Sequence, residues 1–158
     1  MNNNHKKKDK IKIVIGMEDS AQKEEIVEIL SQTYSVETAS DSEEAYHLIH
    51  KFDPDLVILD YSLSKMHPID LHNGISFIHS YMHLVICVTS DNLEVARRVW
   101  HRRAMDFIFK PYHTVCFVQD VNKIVRYILD KRELDKLHRR IKAMEDELKE
   151  IKKEKGIT

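Results

Sequence analysis

From Ile11 onward the chain alternates between short apolar runs rich in β-branched residues and longer stretches whose apolar residues recur at helical spacing. Runs of the first kind predict strands and those of the second predict amphipathic helices. Their alternation predicts strand, crossover helix and parallel strand in succession. Strands are expected over IKIVIGM (11–17), SVET (35–38), DLVILD (55–60), LVICVT (84–89) and DFIFK (106–110). The third and fourth are apolar almost throughout, which implies cover on both faces, as in a parallel sheet between helices. Helical stripes follow in the gaps. Ile26, Val27, Leu30 and Tyr34 come after Ser20; Ala45, Leu48 and Ile49 come after the start signal Asp41-Ser42-Glu43-Glu44. Leu71, Ile75, Ile78 and Met82 form a third stripe and Leu93, Ala96, Val99 and Trp100 a fourth. A fifth helix opens near Thr114, with Val118, Val121, Ile124, Val125 and Ile128 toward the sheet. Five such units predict a doubly wound α/β domain over 11–128, and in such sheets ligands bind beyond the carboxyl ends of the strands.

Beyond Ile128 the pattern changes. Residues 131–158 carry 17 charged side chains in 28, while Leu134, Leu137, Ile141, Met144, Leu148 and Ile151 recur at intervals of 3, 4, 3, 4 and 3. This is a heptad seam with Leu134, Ile141 and Leu148 at a positions. A helix continued from Thr114 to Lys155 would run about 60 Å at 1.5 Å per residue. That is too long to pack on a domain of this size, so a partner helix is expected and 129–158 reads as a coiled-coil extension. In a parallel homodimer through 131–155 the flanking pairs Glu133 with His138, Arg140 with Glu145, and Glu147 with Lys152 are compatible. An antiparallel register matching Arg140 with Glu147 is open too, as is a solvated single helix. Residues 1–10, polar and basic, read as a disordered tail.

Composition narrows the classes. The 158 residues suffice for one domain and an appendage, and three Gly with three Pro exclude collagenous and linker-like chains. A formal net charge of −1 gives no electrostatic basis for sequence-independent binding to nucleic acid or an anionic membrane. No apolar run approaches the roughly 20 residues of a membrane span, and MNNNHKKKDK has no signal-peptide core. The protein is expected to be soluble and cytoplasmic. Cys87 and Cys116 sit in apolar runs without CxxC spacing and read as buried reduced thiols. His79 with His83, and His47 with His50, are closely spaced, but neither pair has a third ligand in reach for zinc.

Candidate chemistry gathers at the strand ends: Glu18-Asp19 after the first, Asp60 closing the third, Thr89-Ser90 the fourth and Lys110-Pro111 the fifth. Three acids at one rim repel each other unless a cation sits among them, and hard oxygen donors in that number suit Mg²⁺. Lys110 and a hydroxyl beside such an ion make a place for a phosphoryl group, and Asp60 is a nucleophile that could receive it. Taken singly, each has a plainer reading; Asp19 or Ser20 can be a helix N-cap and nothing more.

The segments IVIGMEDS, DPDLVILD, VICVTS and AMDFIFKP, in this order, resemble the signature segments of bacterial response regulator receiver domains over about residues 11–128. The resemblance implies a flavodoxin-like five-stranded parallel sheet of order 2-1-3-4-5, here with a long C-terminal helix. It implies that Asp60 is the phosphoacceptor and that Glu18, Asp19, Asp60 and the backbone carbonyl of Ser62 hold Mg²⁺. Thr89 would bond a phosphoryl oxygen, Lys110 would pair with the phosphoryl group, Phe107 would be the switching aromatic, and Lys110-Pro111 would be a cis peptide. The partner implied is a sensor histidine kinase or phosphotransfer protein, with no direct nucleic-acid or membrane contact. The chain would be no enzyme beyond its own phosphorylation and dephosphorylation. An aspartyl phosphate adds about two charges. Thr89 can follow that charge and vacate space for Phe107, which carries the event to the surface of the fourth helical segment and fifth strand. Phe107 can equally be a plain core aromatic.

Departures from the family pattern are visible. The acidic pair is Glu18-Asp19 rather than Asp-Asp, and an ungapped alternative puts Met17 and Glu18 there. Ser64 stands where Pro is usual, Pro68 and Gly74 come late, and Arg103 replaces a helix-ending Gly. Two rival functions follow: a phosphorylation-silent pseudo-receiver acting as a dimerising module, and a hydrolase using Asp60 on external phosphoesters. The second lacks a general acid two residues on, where Ser62 stands.

Overall fold

The computed structural model describes residues 10–63, 65, 67–76, 82–92, 94 and 105–157. Except for Lys10, the expected tail lies outside these residues. So do the fourth helical stripe, Ile78, His79, Ser64 and Arg103. Two compact units divide the chain, Met1–Val121 and Asn122–Thr158.

The first unit is built on strands β1 (Lys12–Gly16), β2 (Ser35–Ala39), β3 (Leu56–Asp60), β4 (His83–Thr89) and β5 (Met105–Lys110). They form one parallel sheet of order β2-β1-β3-β4-β5, as expected. The register sets Gly16 beside Leu59, Asp60 beside Cys87 and Thr89 beside Lys110. Consecutive parallel strands enter the sheet at the same end, so their carboxyl ends share one edge. Val14, Val57, Leu59, Leu84, Ile86 and Val88 point to one face. There they pack with Ala45 and Ile49 of α2 (Ser42–Phe52) and Leu71 and Ile75 of α3 (Pro68–Ser76). By strand alternation Ile13, Ile15, Ile58, Val85 and Cys87 take the other face, and all five are fully buried. Ile26 and Leu30 of α1 (Ala21–Ser31) are buried as well, as are Phe117 and Val121 in the first turns of the long helix α4 (Thr114–Glu154). Each such side chain contributes about 1.5–3 kcal/mol of burial.

Helix starts follow the sequence signals. Ser20 caps α1 by accepting from the Lys23 N–H. Asp41 caps α2 through the Glu44 N–H, while Glu44 reaches back to the Ser40 N–H at 2.7 Å, a reciprocal capping box displaced by one residue. Helix α1 stops at Ser31, earlier than the stripe suggested, so Tyr34 lies in the turn before β2. Pro68 opens α3, the position where a missing N–H costs nothing.

The second unit is helical to Glu154. It closes with Ile157 donating to the Lys152 carbonyl and Gly156 to that of Lys153, with Gly156 at φ +63°. This paired-bond ending needs a left-handed residue, which Gly supplies without strain. Leu134, Leu137, Ile141, Met144, Leu148 and Ile151 are each 47–54% exposed. No helix among the described residues is long and apolar enough to cross a membrane.

One expectation fails here. Cys87 is buried, but Cys116 is exposed: it precedes the buried Phe117 by one residue, about 100° around the helix, and so faces outward.

Gly16 has a packing role that its place in the strand pattern conceals. A Cβ there would lie 2.6 Å from Leu59 Cδ2 and 2.9 Å from Leu63 Cδ2. Leu63 follows directly after the Asp60 turn, so a bare Cα on β1 lets that turn seat. Gly16→Ala is expected to lower stability by about 1–3 kcal/mol, as overpacking does; chemical denaturation of the two proteins measures the difference.

Candidate functional site

A cavity of about 590 Å³ lies at the carboxyl edge of the sheet. Strand β3 delivers Asp60 and then Ser62, β4 delivers Thr89 followed by Ser90 and Asp91, and β5 delivers Lys110. Glu18, Asp19 and Ser20 come from the link between β1 and α1. Every residue expected at the site lines this cavity except Phe107, which is half-buried against the core cluster beneath it. The apolar strands explain the convergence. Where a strand leaves the cover of the helices, its first polar residue emerges, and all five strands leave at the same edge.

Asp60 is only 7% exposed, and its carboxylate is fully engaged. One oxygen pairs with the Lys110 ammonium; the other accepts from the Ser62 N–H at 3.0 Å and the Ser62 hydroxyl at 2.8 Å. A buried carboxylate without such partners would be strongly disfavoured. Thr89 is exposed, and its hydroxyl accepts from Asn92 Nδ2 at 3.1 Å. The Lys110-Pro111 peptide is cis, as the resemblance implied.

Glu18 is exposed, and Asp19 is 81% exposed. Asp19 does not reach Asp60; its carboxylate pairs at 2.8 Å with Lys23, one turn into α1. Among the described residues no three Asp, Glu, His or Cys side chains are drawn together as a metal-binding group. The donor set nonetheless fits a hard divalent ion. Glu18, Asp19 and Asp60 all carry oxygen donors and line the same cavity, and Mg²⁺ keeps most of its waters and takes few protein ligands.

Near the carboxylate are Cys87, which is buried, and Tyr112, which lines the cavity. Burial pushes the Cys87 thiol up to about 12; the Asp60 charge adds to this and Lys110 opposes it. Burial also raises the Tyr112 phenol, helped by Cys87 and Asp60. Tyr112 packs on Phe117 at 4.8 Å between ring centroids, and its carbonyl accepts from Gln22 Nε2 at 2.9 Å. Thr114 in turn donates to Glu25 at 2.7 Å, so the loop after β5 is fastened to α1.

Sequence reasoning missed Lys23, Asp91 and Tyr112. The Asp19-Lys23 spacing of four was visible as a helical ion-pair signal. Its burial was not, because only the tertiary fold turns that face inward.

An open α/β sheet of flavodoxin-like order with an acid-and-lysine pocket at its strand ends is the class that this geometry defines. Comparison with known proteins narrows it. The response regulator receiver domain family matches residues 13–122, and the chain belongs to that family. It is therefore a response regulator receiver domain of the two-component type. A protein-glutamate methylesterase/protein-glutamine glutaminase of Methanococcus maripaludis is 32% identical over 152 residues, covering 92% of this chain and 40% of that protein. The transcriptional regulatory protein HptR of Staphylococcus aureus is 26% identical over 98 residues, 62% of this chain and 38% of HptR. The chain thus spans about two fifths of the length of these curated relatives. Among solved structures, NtrX from Brucella abortus in complex with ATP superposes with a TM-score of 0.70 at 26% identity, over 80% of this chain and 29% of NtrX. A response regulator receiver domain protein from Clostridium thermocellum gives 0.69 at 23% identity, over 78% and 98%, and shows the fold alone.

The thiols provide a test of this packing. Cys116 should react with a thiol reagent in the native protein and Cys87 only after unfolding. The folded state keeps the Cys87 proton to about pH 12, while an unfolded thiol loses it from about pH 9. Between these values only the unfolded chain gains by ionising, so stability falls as pH rises through the window. Unfolding midpoints measured from pH 8 upward should drop, and less steeply for Cys87→Ala.

Proposed function

We propose that this receiver accepts a phosphoryl group on Asp60 from a histidine kinase or phosphotransfer protein, with Mg²⁺ bound, and that the modification switches a protein-interaction surface. The single observation that carries this reading is the gathering of Asp60, Lys110, Thr89, Glu18 and Asp19 around one cavity from four separate segments. An Asp60 oxygen forms a bond to phosphorus as the phosphorus–nitrogen bond of a phosphohistidine donor breaks, and the electron pair leaves with the imidazole. Lys110, already paired with Asp60, shifts its pairing to the incoming phosphoryl oxygens and keeps its own charge. Thr89, freed from Asn92, donates to one of those oxygens. Ser62 holds the second carboxylate oxygen and so orients the first. Glu18, Asp19, Asp60 and the Ser62 carbonyl are the groups that would hold Mg²⁺, which when bound supplies charge neutralisation for the transferring group. Phe107, half-buried against the core and paired with Ile86 of β4, would be the switching aromatic that follows Thr89.

In the second unit, the exposed stripe of Leu134, Leu137, Ile141, Met144, Leu148 and Ile151 supports a homodimer through residues 131–155. A solvated single helix has no use for six large apolar residues in one heptad seam.

Incubation with Mg²⁺ and acetyl phosphate is expected to add the mass of one phosphoryl group to the wild type and none to Asp60→Asn. Lys110→Ala should slow the addition by about 10²–10³-fold, the scale of losing one preorganised charge donor. Equal masses for wild type and Asp60→Asn would instead favour the phosphorylation-silent module. Separately, sedimentation equilibrium should report a dimer for the wild type and a monomer for Ile141→Lys; a monomeric wild type would remove the coiled coil.

A further inference from the structure

Lys23 is the feature of the pocket that the phosphoacceptor reading leaves unused. It is a lysine only 6% exposed, a class of residue almost never buried without partners. Its partners are complete. The ammonium has three N–H donors, and they meet the Met17 carbonyl at 3.0 Å, the Asp19 carboxylate at 2.8 Å and the Ala39 carbonyl at 3.5 Å. Two of these acceptors are backbone oxygens just beyond β1 and at the end of β2, so a positive charge is built into the edge of the sheet where the acids lie. We propose that Lys23 is a resident counter-cation of the pocket, a positioning residue that holds Asp19 and competes with a divalent metal ion for its carboxylate.

The inference rests on reading Glu18, Asp19 and Asp60 as the metal-binding acids. The two partners of the ion pair differ in freedom. Lys23 is buried and bound to the main chain on two sides, and withdrawing it would take the ammonium from the Met17 carbonyl, whereas the Ala39 carbonyl would keep the Met17 N–H. Asp19 is 81% exposed and, among the described residues, its carboxylate pairs with Lys23. Metal entry therefore moves Asp19, while the ammonium stays. The exchange costs an ion pair that is exposed on its carboxylate side, a few-fold in the binding constant. The fixed ammonium lowers metal affinity further by repulsion. The pocket thus binds a divalent ion more weakly than its three carboxylates alone would, and the position of Asp19 reports whether the ion is present.

Isothermal titration of the full chain with Mg²⁺ tests this without any phosphodonor. Lys23→Met keeps the length of the buried stem and removes the charge. It is expected to bind Mg²⁺ about two- to fivefold tighter than wild type, the span of an exposed pair released. In an Asp19→Asn background the same Lys23→Met change should give a smaller gain, because the pair is already broken. Unchanged or weaker Mg²⁺ binding by Lys23→Met overturns the proposal, as does a gain undiminished in the Asp19→Asn background. A second measurement needs no variant. The Nζ nitrogen resonance of Lys23 in the ¹⁵N-labelled wild type should shift during the Mg²⁺ titration as Asp19 departs. A resonance that stays in place overturns the proposal even if Lys23→Met fails to fold. Absence of Mg²⁺ binding by the wild type overturns it together with the metal assignment, whereas phosphorylation of Asp60 is read separately from its mass.

Discussion

The structure turns on the exclusion of charge from both faces at the centre of a parallel sheet. Strand β3 is buried along its whole length, and its four apolar residues leave Asp60 as the first position where a charge is admissible. The carboxylate still lies deep enough that its Lys110 and Ser62 partners offset the cost of burying it. Because all strands point the same way, the same exclusion on β1 and β4 delivers their polar ends to the edge where β5 ends in Lys110. The site follows from the solvent-exclusion pattern of the core.

Two lysines divide the electrostatic work of that edge. Lys110 approaches from β5 and neutralises Asp60, while Lys23 approaches from α1 and neutralises Asp19. The walls that carry them are joined by polar bonds between segments far apart in sequence, Gln22 to the Tyr112 carbonyl and Thr114 to Glu25. A rearrangement of charge at Asp60 therefore meets α1 and the loop after β5 as one fastened wall. Burial first, and the Asp60 charge after it, raises both the Cys87 thiol and the half-buried Tyr112 phenol.

Much of the fold was legible because alternating apolar runs translate directly into parallel strands with covered faces. All five strands fall within two residues of their expected bounds. The capping signals at Ser20 and at Asp41 with Glu44 likewise have local causes and can be read locally. Asp60, Thr89 and Lys110 were legible for the same reason, since each terminates a recognisable run. What escaped depends on distant packing. Lys23 looks like any charged residue of a first helical turn until Met17 and Ala39 bring their carbonyls to it. Cys116 sits in an apolar run whose burial is decided by which side of α4 faces the sheet. Gly16 reads as an ordinary weak point in a strand, and only the approach of Leu59 and Leu63 makes its missing side chain necessary.

The edge formed by β2 has a further bearing on how the molecule behaves in a crowded solution. An open strand edge is a template onto which another chain can add and begin a fibrillar aggregate. Here that edge is only five residues long and carries the exposed Glu37 at its centre. Two chains meeting edge to edge would bring like charges together before many main-chain bonds could form. This short acidic margin guards against runaway strand polymerisation on the β2 side, and one glutamate is the guard.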